Sequence, residues 1–196
     1  MPAPLPIWDI RLGSKGTIFD SKITEMLSSV ISPEIKTADK NSLYGEIRQA
    51  LQAVLTGETD FIANLANSAA LLFWSLPAIN WAGFYLLKEE ELVLGPFQGK
   101  IACVRIRLGR GVCGTAAEKR QTLMVANVHE FPGHIACDSA SNSEIVVPII
   151  KGDLLVGVLD IDSPEFARFD DTDKAELEKF VQLLTDAIPR NPQLKT

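Results

Sequence analysis

Two long apolar segments near the C-terminal end of the chain constrain the fold more than any other feature. EIVVPII (144–150) and LLVGVLDID (154–162) flank Lys151–Asp153, a Lys-Gly-Asp sequence of turn-forming character. Two strand-like segments joined by a short Gly/Asp turn predict an antiparallel hairpin. Pro148 interrupts the first segment, so we expect that strand to lie at a sheet edge or to carry a bulge.

The segments around this hairpin predict further strands and flanking helices. Apolar residues recur at helical spacing from Leu43 to Gly57, and again from Asp60 to Pro77. A last helix is predicted to begin near Asp170, with Asp173 and Glu176 as a capping box. GRGVCGTAAEKR (109–120) predicts a glycine turn followed by a short helix. The segments that predict further strands are WAGFYLL (81–87), LVLGPF (92–97), CVRIRL (103–108) and TLMVANV (122–128).

This order of elements predicts an α+β fold, a central antiparallel sheet of about six strands with the N- and C-terminal helices on one face. The opposite face is then free for long loops, and we expect a pocket there. Residues 1–40 predict a proline-containing extension with a short helix near 21–31. Residues 41–190 form the predicted domain and 191–196 a tail.

Composition excludes several classes of protein. With 196 residues and 46% hydrophobic content, the chain can bury one core but is short for two. The formal net charge is -6 without a block of Lys or Arg, which argues against nucleic-acid and anionic-membrane partners. No apolar run reaches the roughly 20 residues of a membrane span, and no secretory signal begins the chain. Three widely spaced cysteines fit a reducing compartment, so we expect a cytosolic protein with free thiols.

Three acidic residues of the hairpin are candidates for one site. Asp160 and Asp162 are two residues apart on a strand, so their side chains share a face. A three-residue turn would pair residue 150 with 154 and place Glu144 opposite Asp160, on the same face; a two-residue turn would shift this by one. Clustered carboxylates raise the pKa of at least one member, which then holds a proton near neutral pH. A solvated acidic surface and a divalent-cation site are the alternatives.

The cysteines are the candidate nucleophiles. Cys137 follows His134 in a Ser/Asn/Asp-rich loop, which predicts an exposed thiol. Cys113 lies in the glycine turn ahead of a helix, where the pKa of a thiol can be lowered. Cys103 would begin a strand, and both Cys103 and Cys113 could instead be small core residues. His129, His134 and Cys137 lack zinc-ligand spacing, so no metal is expected.

Trp81 and Tyr85 are four residues apart on a predicted strand, so they share a face. Core packing explains such a pair, and so does an aromatic wall for a small apolar group or a cation.

These elements resemble a GAF domain and, within that superfamily, the free methionine-(R)-sulfoxide reductases. The motifs that carry the resemblance span roughly residues 43–188: WAGFYLL, GPFQGKIACVRIRLGRGVCGTAAE, HIACDSASNSEIVVPI and GVLDIDSPEFARFD. The resemblance implies reduction of free methionine sulfoxide by a thioredoxin-recycled homodimer without a bound cofactor. It implies Cys137, Cys103 and Cys113 as redox thiols. It also implies a substrate pocket lined by Trp81, Tyr85, Glu144, Asp160 and Asp162.

Chemistry adds roles to these residues and leaves alternatives open. Attack of Cys137 on the sulfoxide sulfur, with a proton from Glu144 to the oxygen, would leave a sulfenic acid that a second thiol resolves to a disulfide. Either Cys103 or Cys113 could resolve it, Cys113 could itself attack, and any of the three carboxylates could carry the proton. A GAF-type ligand or redox sensor without turnover is the competing function.

Overall fold

The computed structural model describes residues 39–133 and 139–188. The predicted helix at 21–31, nearly all of the 1–40 extension, Cys137 and the 191–196 tail lie outside these ranges. The described residues form the helices α1 (Lys40–Leu55), α2 (Phe61–Ser75), α3 (Gly111–Lys119) and α4 (Asp171–Ala187), and a 3-10 turn at Val128–Glu130. Their strands are β1 (Trp81–Lys88), β2 (Glu91–Gly99), β3 (Arg105–Arg107), β4 (Leu123–Val125), β5 (Ser143–Lys151) and β6 (Leu154–Ser163).

The strands form one antiparallel sheet in the order β3-β2-β1-β6-β5-β4. This confirms the predicted six-stranded α+β architecture. The terminal helices lie on one face as expected: α2 packs on β1 and β2, α4 packs on β5, and α1 packs against α2 and α4. Within the described ranges, no helix combines the length and apolarity needed to cross a membrane.

Strand alternation divides the buried side chains between the two faces of the sheet. In β1, Ala82, Phe84 and Leu86 join the core beneath α2 and α4, whereas Trp81 and Tyr85 point to the opposite face. A second, smaller core there is covered by α3. The face that was predicted to be free for long loops also carries α3, and this helix contributes residues to the pocket.

The strand predicted over 103–108 is wrong in its extent, because β3 is limited to Arg105–Arg107. The backbone N–H of Leu94 still donates to the carbonyl of Val104 (3.0 Å). Further pairing would require Gly95 and Pro96 of β2, where the register shifts and proline lacks an N–H. Cys103 consequently lies in the segment before β3 and not in a strand.

The hairpin turn also differs from the expected one. It has two residues, Gly152 at φ 60° and Asp153, with Lys151 paired to Leu154. Past a bulge after Leu155, Ile149 pairs with Gly157, and Glu144 lies opposite Asp162 and not opposite Asp160. The extra residue of this bulge is Val156 in β6, so the bulge is not in the strand of Pro148. The edge alternative holds locally, because Pro148 lies beyond the end of β4, where β5 has no neighbour on that side.

The capping box of α4 lies one turn earlier than predicted, with Asp170 as N-cap and Asp173 as the acidic partner. The fully buried Asp173 carboxylate accepts hydrogen bonds from the Tyr44 hydroxyl (2.7 Å), Lys40 Nζ (2.6 Å) and Arg168 Nη1 (3.2 Å). One carboxylate therefore joins α1, the loop after β6 and the start of α4. Glu176, the other predicted member, instead pairs with Arg48 of α1.

We expect Asp173→Ala to lower the free energy of unfolding by about 3 kcal/mol, because it leaves the buried Arg168 and Tyr44 groups without their acceptor. Urea unfolding followed by circular dichroism measures this. Asp171→Asn, an exposed change in the same helical turn, is the control and should cost less than about 0.5 kcal/mol. Equal stability of the two variants would contradict a structural role for Asp173.

Candidate active site

Three neighbouring strands bring the predicted site residues together on the second face of the sheet. Trp81 of β1 lies opposite Asp162 of β6, and Asp162 lies opposite Glu144 of β5. Gly83 and Asp160 form the next row along the same face. The expectation that Glu144, Asp160 and Asp162 share a face is confirmed, although the pairing differs from the expected one.

Gly83 allows the aromatic side chains to form a wall beside these acids. A Cβ atom at Gly83 would lie 2.7 Å from the Trp81 ring and 2.3 Å from the Phe97 Cβ, so only glycine fits beneath the ring. The Trp81 ring stacks on Tyr85 (6.0 Å between centroids) and on Phe97 (5.3 Å). Trp81 and Tyr85 therefore share a face as predicted and also line the pocket.

The glycine turn before α3 sets the position of Cys113. Gly111 adopts φ 60°, and a Cβ at Gly114 would lie 2.3 Å from the Arg107 carbonyl oxygen, so α3 approaches the end of β3 closely. This approach places Cys113, the third residue of α3, at the pocket with its Sγ 3.8 Å from Glu144 Oε1. The thiol is within sulfur hydrogen-bond distance of the carboxyl group.

The carboxyl groups of the site are buried close to one another. Burial, and then the negative charges of Asp160 and Asp162, raise the pKa of Glu144 well above its usual range. Burial raises the pKa of Asp160 to about 6, partly offset by hydrogen bonds from Cys113 and Glu144. Both carboxyl groups therefore keep a proton to higher pH than exposed carboxyl groups do. Asp160 Oδ1 is buried and has no hydrogen-bond partner among the described residues, so it is available to a ligand.

The expectation of a lowered pKa for Cys113 is wrong. Burial and the nearby charges of Asp160 and Glu144 raise the pKa of this thiol, and they outweigh the favourable field of the helix N-terminus. Cys113 is therefore a protonated, buried thiol at neutral pH. Cys103 is disulfide-bonded, whereas Cys113 is free.

The described residues offer one set of donor atoms for a metal. Sγ of Cys113 and one oxygen each of Glu144 and Asp160 lie within 4.8 Å of one another. This mixture of one thiol and two carboxylates differs from the usual His-rich and Cys-rich zinc sites, and we assign no metal to it. His129 Nε2 instead lies 2.9 Å from Asn142 Oδ1, while His134 falls outside the described residues.

The acids, Cys113 and the aromatic pair line one pocket that is partly open to solvent. Several residues that line this pocket were not predicted from the sequence. Ser141 is one of them, and its hydroxyl accepts a hydrogen bond from the Asn80 amide (3.1 Å). Arg110 carried a weak signal, since it lies inside the glycine turn that had already been singled out for Cys113. The other missed lining residues are Ile101, Ala102, Ile106 and Val112.

Comparison with known proteins agrees with this geometry. The sequence profile of the GAF domain family matches residues 74–188. Free methionine-R-sulfoxide reductase of Escherichia coli (strain K12) is 55% identical over 74% of this chain and 88% of its own length. The protein of the same name from Saccharomyces cerevisiae is 42% identical over 74% of this chain and 86% of its own. The X-ray structure of free methionine-R-sulfoxide reductase from Neisseria meningitidis in complex with its substrate has a TM-score of 0.75 at 46% identity. This match covers 78% of this chain and 92% of the Neisseria meningitidis chain.

The six-stranded sheet, with terminal helices on one face and a pocket on the other, defines a GAF fold. The chain belongs to the GAF domain family and, within it, to the family of free methionine-R-sulfoxide reductases. The resemblance read from the sequence motifs is confirmed.

The buried acids make stability depend on pH in a defined direction. The pKa of Asp160 is about 6 in the fold against roughly 4 in an unfolded chain, so the folded state holds the proton more tightly. The free energy of unfolding should therefore fall as pH rises from about 4 through 6. We expect Asp160→Asn to be more stable than the wild type at pH 8 by on the order of 2 kcal/mol.

Urea unfolding at pH 4, 6 and 8 measures this effect. Asp153→Asn, at the exposed hairpin turn, is the control and should follow the wild-type curve. A wild-type stability that rises steadily over this interval, with no gain for Asp160→Asn at pH 8, would show that the carboxylate is not destabilising.

Proposed function

We propose that the protein reduces free methionine-R-sulfoxide to methionine through cysteine chemistry. The observation that carries this proposal is the buried Glu144–Asp160 pair, whose pKa values are raised by burial, in a pocket lined by Trp81 and Tyr85. A sulfoxide is a poor electrophile until its oxygen is protonated or strongly hydrogen-bonded, and this pair provides an acid for that purpose. The names of the E. coli and S. cerevisiae relatives support the same reaction.

The pocket has groups for each part of a free amino acid. The carboxylates of Asp160 and Asp162 suit the ammonium group, and the aromatic wall suits the S-methyl end. Arg110 lines the same pocket beside the first N–H groups of α3, where a carboxylate is favoured. A residue inside a peptide has neither charged group, so the free amino acid is the better substrate.

Glu144 is the proton donor in this scheme. Burial and the neighbouring aspartates raise its pKa, which favours the protonated form that can donate. Transfer of its proton to the sulfoxide oxygen leaves two adjacent carboxylates. Their mutual repulsion is relieved when a proton returns to Glu144.

Cys137 is the proposed nucleophile and Cys103 its resolving partner. The Cys137 sulfur attacks the sulfoxide sulfur, the oxygen is transferred, methionine leaves, and Cys137 becomes a sulfenic acid. A second thiol then displaces water to form a disulfide. Cys103 is the better candidate for this second thiol, because it is disulfide-bonded whereas the buried Cys113 is free. Cys113 then acts within the pocket as a hydrogen-bond partner of Glu144.

Thioredoxin is the proposed electron donor, since thiol–disulfide exchange with a dithiol returns both cysteines to the reduced state. Such recycling belongs to a reducing compartment such as the cytosol. The homodimer implied by the family resemblance is likewise a proposal, and light scattering of the purified protein would test it.

Turnover distinguishes this enzyme from a redox or ligand sensor of the same fold. With thioredoxin, its reductase and NADPH, we expect continuous NADPH loss on addition of free methionine-R-sulfoxide, and none with Cys137→Ser. Cys113→Ser should retain the disulfide step, because Cys103 supplies the resolving thiol. A single stoichiometric burst from the wild type would indicate a sensor, and a turnover-induced Cys103–Cys113 bridge would transfer the attacking role to Cys113.

Glu144→Gln preserves shape and hydrogen bonding but removes the acid. We expect the rate of methionine release in a single turnover to fall by about 10²–10⁴, as is typical for loss of a general acid. The wild-type rate should decline as pH rises through the raised pKa of Glu144, because the protonated form is required. The Gln variant should lose that decline. A variant with a near-normal rate and an unchanged pH profile would leave Glu144 as a binding residue.

A further inference from the structure

We propose that the segment Ile101–Val104 is the docking surface for the dithiol protein that reduces the disulfide at Cys103. This inference rests on the proposed function, in which that disulfide forms once per turnover. We call the segment the 101–104 patch. It comprises Ile101, Ala102, Cys103 and Val104 and lies between β2 and β3.

The patch exposes apolar side chains on both sides of the redox cysteine. Ile101 is 90% exposed and Val104 is 64% exposed. Cys103, which lies between them, is half-buried and therefore still reachable from the surface. Together these side chains place uncovered apolar surface directly at the disulfide, and an apolar surface beside a functional group marks an interaction site.

The backbone of the patch is held in place, so the exposure is not a result of loose attachment. Trp81 Nε1 donates to the Lys100 carbonyl (3.0 Å), and the Tyr85 hydroxyl donates to the Cys103 carbonyl (3.0 Å). The Leu94 N–H donates to the Val104 carbonyl (3.0 Å). Three carbonyl groups in five residues are thus fixed to β1 and β2. A surface presented in this way is preorganised, which lowers the entropy cost of docking.

Geometry requires a reducing protein to cover the patch. A thiolate must reach a sulfur of the disulfide at Cys103 for exchange to occur. Even a small transient interface buries about 600 Å² per partner, which corresponds to a disc of about 14 Å radius. Val104 is one Cα step of about 3.8 Å from Cys103, and Ile101 is two steps away. Both side chains therefore lie near the centre of the footprint, where truncation affects binding most.

The charge beside the patch favours an acidic partner. Arg105 and Arg107 are exposed on the edge strand β3, and only Glu91 among the acids pairs with them in the described part of the chain. The charge of this group of side chains is therefore net positive, although the whole chain has a net charge of -6. Encounter with an acidic dithiol protein should therefore be faster at low ionic strength.

Two reductants separate docking from chemistry. Steady-state turnover of free methionine-R-sulfoxide is measured with varied thioredoxin, its reductase and NADPH, and in parallel with dithiothreitol, which needs no docking surface. The test variant is Val104→Glu, which adds a charge that an acidic partner repels; Val104→Ser is the milder second variant. The matched control is Leu154→Glu, also an exposed apolar position (55%), at the hairpin end of β6, about 26 Å from Asp162 by strand rise.

We expect Val104→Glu to lower kcat/KM for thioredoxin about tenfold, with a smaller loss for Val104→Ser and none for Leu154→Glu. The rate with dithiothreitol should stay at the wild-type value in all three. Unchanged thioredoxin kinetics in Val104→Glu would overturn the assignment, and so would an equal loss with both reductants. A wild type that produces no methionine with dithiothreitol would instead refute the proposed function itself, and the docking inference with it.

Discussion

The register of β5 against β6 is the constraint on which the site depends. A two-residue turn alone would place Glu144 opposite Ile161, on the face away from both aspartates. The bulge after Leu155 inserts one residue into β6 and restores the parity, so that Glu144 faces Asp162 and lies diagonal to Asp160. A one-residue difference in this hairpin therefore decides whether Glu144 lies beside the two aspartates or on the opposite face of the sheet.

Burying these acids costs stability, and other parts of the fold offset that cost. The pKa values of Glu144 and Asp160 are raised mainly because burial penalises their charged forms. The opposite face of the sheet carries the larger apolar core, and Asp173 holds α1 and α4 together over it. The division is physically sensible: one face of the sheet supplies most of the stability, and the other keeps a strained group of carboxyls beside a buried thiol.

The aromatic pair Trp81 and Tyr85 joins the candidate pocket to the segment that precedes β3. Trp81 and Tyr85 contribute their rings to the pocket, and their polar atoms hold the backbone at Lys100 and Cys103. The same two residues thus shape the candidate pocket and position the segment that contains the disulfide-bonded Cys103. Core packing, one of the two interpretations of this pair, is confirmed by the burial of both rings, while their role as a wall for a ligand stays a prediction.

Local patterns in the chain determined the element order, the shared face of Trp81 and Tyr85, the paired aspartates and the glycine turn that carries Cys113, because side-chain periodicity and turn chemistry act over a few residues. The family motifs added the expected activity. Tertiary structure decided the register of Glu144, the short extent of β3 and the raised pKa of Cys113. Each of these depends on residues that are distant in sequence. The register depends on the bulge opposite Ile150, and the extent of β3 depends on Pro96 of the neighbouring strand. The pKa of Cys113 depends on its burial against Glu144 and Asp160. Pairing, burial and electrostatic fields are properties of the assembled fold, and no short stretch of this sequence contains them.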